Sequence, residues 1–323
     1  MKTDARKPFG IAELADKLLS EERVALFCHV HPDGDTLGSA CALKIALTKV
    51  GVKAEVFCSD SVPLKYTFLP EIRNVKSELD GKFSAFVAID NAEITRLGAF
   101  AAEFSEFKNT FNIDHHVSNT RYAAINYVVD GSSNSENVYD IINAMKVGID
   151  GEIANLLALG IVTDSGNFHH KNVTKRTFLC AAELLERGAD FNEIYFNAFS
   201  RQSPERVKLF SRVMDKIRYF EDGRIALITV SLSDLKETGA KQDETEGFID
   251  FVMGIVGVEV GICLMQTDNN SYKVSFRSKN TDVNAVASVF GGGGHKLASG
   301  CKISGSYEEA VDKAVSTVRR FLD

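Results

Sequence analysis

Histidine and aspartate side chains crowd into the segment HVHPDGD, residues 29–35, and further candidates follow at Asp90, in the DHH triplet at 114–116 and at Asp164. Several carboxylates brought together would repel one another unless a cation neutralised them. Imidazole and carboxylate groups without cysteine suit a divalent ion of intermediate hardness, so Mn²⁺ is favoured, with Mg²⁺, Co²⁺ and Zn²⁺ as alternatives. The candidate ligands are numerous enough for two such ions.

Each of these residues also has a structural explanation. Asp33 and Asp35 could be ordinary turn residues, because Pro-Asp-Gly is typical of turns. Asp90 could merely cap the next helix. His169 and His170 are expected to be structural or to lie at the rim of the site. The joint occurrence of the clusters favours a metal site over a separate structural explanation for each of them.

Alternating strands and helices must position these side chains. An apolar run at 23–30 predicts a strand, and helical apolar spacing follows at 36–51. This alternation predicts an α/β fold with a doubly wound, mainly parallel sheet, in which ligands bind at the carboxyl ends of the strands. The histidine and aspartate clusters fall at such ends or on one buried helix. Further strands are predicted at 53–59, 83–90 and 109–114, followed by helices at 135–148, 151–164, 174–188 and 203–217.

A second, smaller α/β domain is predicted beyond residue 220, with a cleft between the domains. The predicted limits are a catalytic domain at 1–195, a helical connector at 196–220 and a substrate-binding domain at 221–323. Its strands are predicted at 224–231, 258–267 and 271–278, the last two joined as a hairpin, and its closing helix at 306–322.

Composition limits the classes of function. A formal net charge of −7 argues against a broad basic surface that would hold long nucleic acid. The six cysteines include no CxxC pair, which indicates free thiols and a cytoplasmic protein. The N-terminal segment is not typical of a signal peptide, and no apolar run is long enough to span a membrane. The oligomeric state is open, with a homodimer as one option.

The motifs HVHPDGD, VAID, DHH and GIVTDSG occur in the order found in the DHH phosphoesterase superfamily, which this chain strongly resembles. Its C-terminal GGGGHKLASG, preceded by VSFRSK, resembles the DHH-associated domain of the smaller members, including the NrnA-type oligoribonucleases. The resemblance covers nearly the whole chain.

This resemblance implies a residue set for two metal ions. Asp90 would bridge them, with His29 and Asp33 completing one site and the remaining ligands the other. His31 occupies a variable position and is excluded. The implied metal ligands are His29, Asp33, Asp35, Asp90, His115 and Asp164.

Two further residues would act on the substrate or on the ligands. His116 resembles the histidine that contacts the substrate phosphate, and Asp114 resembles the group that orients the histidines. We expect these two to be the catalytic pair beside the metals.

The glycine-rich loop is expected to bind the nucleotide, because glycines let backbone N–H groups approach an anion closely. The alternative is a flexible glycine hairpin, and Ser299 could be only a cap. The predicted substrate-binding residues are Arg277, Gly292, Gly293, Gly294, His295 and Ser299.

The resemblance implies a metal-dependent phosphoesterase that cleaves short oligoribonucleotides to 5′-mononucleotides, 3′-phosphoadenosine 5′-phosphate to AMP, or both. Two metals would activate a hydroxide for this hydrolysis. A phosphodiesterase for linear or cyclic dinucleotides and a catalytically silent nucleotide sensor are the alternatives. The partner is therefore expected to be short RNA or a small nucleotide, with no long nucleic acid and no membrane.

Overall fold

The computed structural model describes residues 10–322 and divides the chain into two compact units, Met1–Arg201 and Gln202–Asp323. Residues 1–9, the beginning of the segment expected not to be a signal peptide, lie outside the described residues. The predicted domain limits stay a prediction. The helix that was expected to connect the domains packs within the second unit, where Leu209 and Val213 are buried.

The first unit is built on a five-stranded parallel sheet with the strand order β2-β1-β3-β4-β5. This order reverses direction between β1 and β3, where open α/β sheets place their ligands. The predicted α/β fold with a parallel sheet is confirmed. The strands are β1 (Arg23–Phe27), β2 (Lys53–Phe57), β3 (Ala85–Ile89), β4 (Thr110–Asp114) and β5 (Ile125–Val128).

Both faces of this sheet are covered, which explains why its strands are apolar at nearly every position. One face packs against an aliphatic core from α1, α2, α4 and α5. The other packs against a phenylalanine cluster that includes Phe27, Phe57 and Phe104. The helices are α1 (Ile11–Leu19), α2 (Gly34–Lys49), α3 (Ala101–Glu106), α4 (Asn134–Ala144), α5 (Gly151–Asp164), α6 (Lys175–Glu186) and α7 (Phe191–Tyr195).

Helices α2 and α5 approach each other closely because glycines line their contact. A Cβ atom at Gly38 would lie 2.3 Å from the carbonyl oxygen of Leu156, and one at Gly160 would lie 2.4 Å from Oδ1 of Asp35. The small residues therefore bring the end of α5 toward the start of α2, which carries the HVHPDGD aspartates.

The second unit has a six-stranded mixed sheet with the order β10-β11-β9-β8-β7-β6. The predicted hairpin is confirmed as the antiparallel pair β8 and β9. Helices cover both faces of this sheet. The strands are β6 (Arg218–Phe220), β7 (Ile225–Val230), β8 (Val260–Asp268), β9 (Ser271–Ser278), β10 (Gly293–His295) and β11 (Ala298–Ser304), and the helices are α8 (Pro204–Asp215), α9 (Leu232–Thr238), α10 (Phe248–Met253), α11 (Val283–Ser288) and α12 (Tyr307–Arg319).

All six cysteines lie within the described residues and are free. Among the described residues, no helix combines the length and the apolar character needed to cross a membrane.

Candidate metal centre

The first unit gathers its histidine and aspartate residues where the strand order reverses. His29 follows β1 and Asp90 follows β3. The DHH triplet begins at Asp114, the last residue of β4, and its two histidines follow the strand. In each group, one nitrogen or carboxylate oxygen from every member lies within 4.8 Å of the others, close enough to share an ion. The groups are His29, Asp33 and Asp90; Asp35, His115 and Asp164; and Asp90, Asp114, His115 and His116.

The first group is organised by the start of α2. Asp33 is the N-cap of this helix, and its Oδ1 accepts hydrogen bonds from the backbone N–H groups of Asp35 and Thr36. Its other oxygen, Oδ2, lies 3.6 Å from Nε2 of His29, which is also 3.6 Å from Oδ2 of Asp90. The structural and metal-binding explanations of Asp33 are therefore compatible, because each uses a different oxygen.

The imidazole of His29 is almost fully buried, and its Nδ1 lies 2.8 Å from the carbonyl oxygen of Val30. If Nδ1–H donates to this carbonyl, Nε2 presents the lone pair that a metal requires. Burial opposes a charge on the ring, but the neighbouring Asp33 and Asp90 raise the pKa of His29 to about 10 when no ion is bound.

The second group combines the end of β4 with the end of α5. Nε2 of His115 lies 3.4 Å from Oδ2 of Asp164 and 3.3 Å from Oδ1 of Asp90. Its Nδ1 lies 3.0 Å from the carbonyl oxygen of Gly131, which fixes the ring. Burial opposes the imidazolium, yet Asp90 raises the pKa of His115 to about 11. Burial and the charge of Asp90 raise the pKa of Asp164 to about 7.

Asp35 is fully buried and is held by the N-terminus of α4. Its Oδ2 accepts from the backbone N–H of Asn134 at 2.5 Å, while its Oδ1 accepts from the N–H and the hydroxyl of Ser135 at 2.9 and 2.6 Å. A helix N-terminus favours negative charge. Against this, burial and the carboxylates of Asp90 and Asp164 raise the pKa of Asp35 well above its usual range.

The carboxylate of Asp35 is held by a run of buried polar residues, 132–137, which we call the Asp35 cradle. The sequence analysis missed this run. Its signal is a series of serine and asparagine residues immediately before and within a helix start, which is ordinary capping chemistry and does not by itself indicate an acidic partner 99 residues away.

Like His115, Asp90 belongs to two of the groups. Its backbone adopts a left-handed conformation with φ of 56°, which costs roughly 1–2 kcal/mol for a residue with a side chain. The carboxylate is buried, and although His115 Nε2 is 3.3 Å away, Oδ1 accepts no hydrogen bond from any described residue. Burial opposes its ionisation, but the imidazoles of His115 and His29 lower the pKa of Asp90 well below its usual range.

The donor set therefore fits divalent cations. A buried, ionised carboxylate oxygen without a hydrogen-bond donor is costly, and a cation between the imidazoles and carboxylates would satisfy it. Oxygen and imidazole nitrogen donors without thiolate are those that Mn²⁺ and related ions accept. All six residues predicted as metal ligands lie within this arrangement, and their roles as ligands stay a prediction.

Asp114 and His116 form a pair within the group that they share with Asp90 and His115. Nδ1 of His116 lies 2.8 Å from Oδ1 of Asp114, and this carboxylate raises the pKa of His116. The other oxygen of Asp114 accepts from Asn119 at 2.5 Å. Asp114 thus contacts only one of the two histidines that it was expected to orient, because a backbone carbonyl holds His115.

The remaining histidines of the first unit lie outside the three groups. His31 has a 94% exposed side chain and lies beside Asp60. His169 and His170 are exposed, and their Nδ1 atoms are 2.7 and 3.0 Å from backbone carbonyl oxygens. Their predicted structural or rim position stays a prediction.

The predicted nucleotide-binding residues lie together in the second unit. Ala298 of β11 pairs with both His295 of β10 and Arg277 of β9, so the three side chains share one row of the sheet. The side chain of Ser299 is buried and donates to the carbonyl of Val283, which favours its alternative role as a structural contact.

The glycines of this loop are needed by the hairpin itself. A Cβ at Gly292 would lie 2.2 Å from the carbonyl oxygen of Gly300, and Gly294 has φ of 150° with a Cβ position 2.6 Å from the carbonyl oxygen of Ala298. Gly293 lies between them in the exposed edge strand β10. The backbone therefore packs against β11 as only glycine permits.

Known proteins resemble both units. The N-terminal domain of the DHH family matches residues 23–161, and the DHHA1 domain matches residues 224–323. The chain is 30% identical over 308 residues to the bifunctional oligoribonuclease and PAP phosphatase NrnA of Thermus thermophilus, covering 94% of this chain and 91% of that protein. The protein with the same name from Bacillus subtilis is 27% identical, with 92% and 94% covered.

Solved structures share the fold. An exopolyphosphatase-related protein from Bacteroides fragilis superposes with a TM-score of 0.85 at 24% identity, covering 96% of both chains. Exonuclease RecJ bound to manganese superposes with a TM-score of 0.56 at 14% identity, covering 99% of this chain and 97% of that one. Together with the order of its motifs, these matches show that the chain belongs to the DHH family of phosphoesterases and carries a DHH domain followed by a DHHA1 domain.

Proposed function

We propose that this phosphoesterase hydrolyses short oligoribonucleotides to 5′-mononucleotides and 3′-phosphoadenosine 5′-phosphate to AMP. The observation that carries the proposal is the close approach of the six predicted ligands, which include the buried carboxylate of Asp90. The relatives from Thermus thermophilus and Bacillus subtilis, whose names state these two activities, match this chain over more than nine tenths of its length.

The proposed ligands divide between two cation sites. Asp90 would serve both sites, with His29 and Asp33 completing the first. Asp35, His115 and Asp164 would complete the second. When bound, two divalent cations, Mn²⁺ in our proposal, supply a lowered pKa for water and charge compensation on the phosphate.

The protein's own groups have distinct tasks in this proposal. The backbone carbonyls of Val30 and Gly131 keep Nδ1 of each ligand histidine occupied and direct Nε2 toward the carboxylates. His116 is held by Asp114 through Nδ1, so Nε2 remains to donate a hydrogen bond to a phosphate oxygen. Since Asp114 raises the pKa of His116, the ring is more readily protonated and is a stronger donor.

Further parts of the proposal concern the substrate and the setting of the enzyme. A chain with a net charge of −7 is suited to a substrate held by a few local donors, which supports short nucleotides rather than long nucleic acid. Arg277 and His295 of the second unit are proposed as such donors. Six free cysteines support a cytoplasmic location.

Turnover of a defined panel tests the proposal. Purified protein with Mn²⁺ should release AMP from 3′-phosphoadenosine 5′-phosphate and mononucleotides from RNAs of two to five residues, and EDTA should stop both reactions. A silent sensor would bind these nucleotides without metal-dependent turnover, which would contradict the proposal.

Substitution of the loop donors tests their role separately. Arg277→Ala or His295→Ala should raise KM for nucleotides more than KM for a small aryl phosphodiester. Equal effects on both substrates would exclude nucleotide recognition by these residues. Lys302→Ala is a suitable control, because Lys302 is exposed on β11 outside this row of side chains.

A further inference from the structure

Arg96 is a charged neighbour of the metal centre that the family motifs above do not include. It lies in the 3-10 segment Ile94–Phe100, which follows β3, and Nη2 of its guanidinium is 2.9 Å from Nδ1 of His29. The contact joins residues that are 67 positions apart in the chain.

The backbone around Arg96 is fixed against the loop that carries His29. The carbonyl oxygen of Arg96 accepts a hydrogen bond from the N–H of Val30 at 2.8 Å. Two residues later, Gly98 adopts φ of 60°, and a Cβ there would lie 2.2 Å from Oγ of Ser59 and 2.6 Å from Cγ1 of Val30. This close packing places the Arg96 side chain beside His29.

The guanidinium has no acidic partner among the residues that the structure describes. Within residues 10–322, no carboxylate oxygen lies within 4.0 Å of Arg96, whereas Arg23 and Arg176 of the same unit pair with Glu55 and Asp140. A guanidinium has five N–H donors, and the only contact of Arg96 with a side chain of residues 10–322 that is a candidate hydrogen bond is the one with Nδ1 of His29. Most of its capacity to bind an anion is therefore unused.

The contact with His29 is incompatible with metal binding by that histidine. Nδ1 also lies 2.8 Å from the carbonyl oxygen of Val30, and one ring nitrogen cannot donate to the carbonyl and accept from Arg96 at the same time. If Nε2 of His29 is to bind a cation, Nδ1 must carry the hydrogen and donate to Val30. Arg96 then loses its acceptor, and its guanidinium becomes available to the substrate.

The position of Arg96 indicates which part of the substrate it would meet. Nε2 of His29 faces Asp33 and Asp90, whereas the guanidinium of Arg96 lies at Nδ1, the other nitrogen of the ring. An anion bound there is not the phosphate that the cations hold. We propose that Arg96 binds a second phosphate group of the substrate, so that the enzyme favours nucleotides with another phosphate near the one that is cleaved. This inference rests on the proposed function.

Two nucleotides that differ by one phosphate provide the test. Adenosine 3′,5′-bisphosphate and adenosine 3′-monophosphate share the 3′-phosphate, and only the first carries a second one. Because a hydrogen bond to a charged group is lost, Arg96→Gln should raise KM for the bisphosphate about ten- to hundredfold, with KM for the monophosphate changed less than about twofold. Arg96→Lys should give an intermediate value, since the charge remains but the planar donor pair does not.

Calorimetric titration with Mn²⁺ separates this role from a purely structural one. We expect Arg96→Gln to bind Mn²⁺ as the wild type does. If Arg96 only positions His29, Mn²⁺ affinity falls and both substrates lose kcat alike, which would overturn the inference. Arg187→Ala is the matched control. Arg187 is the half-exposed C-cap residue of α6, and its substitution removes the same charge as Arg96→Gln does.

The inference and the proposed function fail in different ways. If the wild-type enzyme cleaves neither nucleotide, the proposed function fails. Titration of the Mn²⁺-loaded protein with each nucleotide then still decides the inference. A bisphosphate that binds no more tightly than the monophosphate, or an advantage that survives Arg96→Gln, would refute it.

Discussion

Metal binding should release protons from this centre, and the number released can be worked out from the structure. When no ion is bound, the pKa of His29 is raised to about 10 and that of His115 to about 11, so both rings are protonated at pH 8. A metal requires neutral imidazoles. Two bound ions should therefore displace about two protons from the histidines at pH 8, and Asp35, whose pKa is raised well above its usual range, adds to this number where it is protonated. The pKa of Asp164 is raised to about 7, so approximately one further proton should be displaced at pH 6.

The sign of the pH dependence follows from these directions. Each proton displaced makes the apparent binding constant rise about tenfold per pH unit, so two protons shared by two ions predict an overall two-ion constant roughly a hundredfold larger at pH 8 than at pH 7, or about tenfold per site. The gain should end only above the raised histidine pKa values. Below pH 7, protonation of Asp164 makes the dependence steeper.

Calorimetric titration in buffers with different ionisation enthalpies measures the protons released. His31→Ala is the control, because His31 is exposed and outside the ligand groups, and its release should equal that of the wild type. Release close to zero at both pH 6 and pH 8 would show that the imidazoles are neutral before the ions bind, and the electrostatic argument would be wrong.

Three other substitutions, two of them compared with a control variant, test the construction of the site. Asp90→Asn should reduce Mn²⁺-dependent turnover of an aryl phosphodiester at least about a hundredfold while circular dichroism shows a folded protein, because both ion sites lose a ligand but the apolar sheet remains; wild-type rates would refute the ligand assignment. Asp35→Asn should lower the free energy of unfolding by about 1–3 kcal/mol, because a buried acceptor of three hydrogen bonds is altered. Asp33→Asn should change it little, since asparagine also caps helices; equal denaturation midpoints for these two variants would contradict this difference. Gly38→Ala should destabilise the protein by about 1–3 kcal/mol through overpacking against α5, whereas Gly148→Ala, with open space around it, should not, and equal melting temperatures would exclude the close helix contact.

The sequence was informative where a local pattern determines the structure. Apolar runs on both faces predicted β1, β3 and β4, and the polar residues that follow these strands had to lie at one edge of a parallel sheet. The start of α8 was also predictable, because Ser203 and Pro204 act as N-cap and first residue. The order of the DHH motifs then indicated which of the many aspartates of the chain are candidate ligands, and their role as ligands stays a prediction.

Other features depend on contacts between distant parts of the chain, which no local sequence pattern predicts. The strand β5 is only four residues long, INYV, and it is defined by its pairing with β4. The left-handed backbone of Asp90 is uncommon for a residue with a side chain, although aspartate adopts it more readily than most, and no local sequence pattern predicts it. The Asp35 cradle joins segments about a hundred residues apart. The contact between Arg96 and His29 joins the segment that follows β1 to the segment that follows β3.

These long-range contacts explain why the fold tolerates a cluster of repelling charges. Each strand that ends at the centre is packed between two apolar layers, so the chain can hold Asp90 in a strained conformation with an unsatisfied oxygen. The N-terminus of α4 stabilises Asp35, and glycines in α2 and α5 let the helix that carries Asp164 approach closely. The apolar layers therefore supply the stability of the fold. The unfavourable repulsion between the carboxylates is confined to one edge of the sheet, where a bound cation would neutralise it. A phosphoesterase needs such an arrangement, because ligands that could relax away from one another would bind an ion without fixing where it lies.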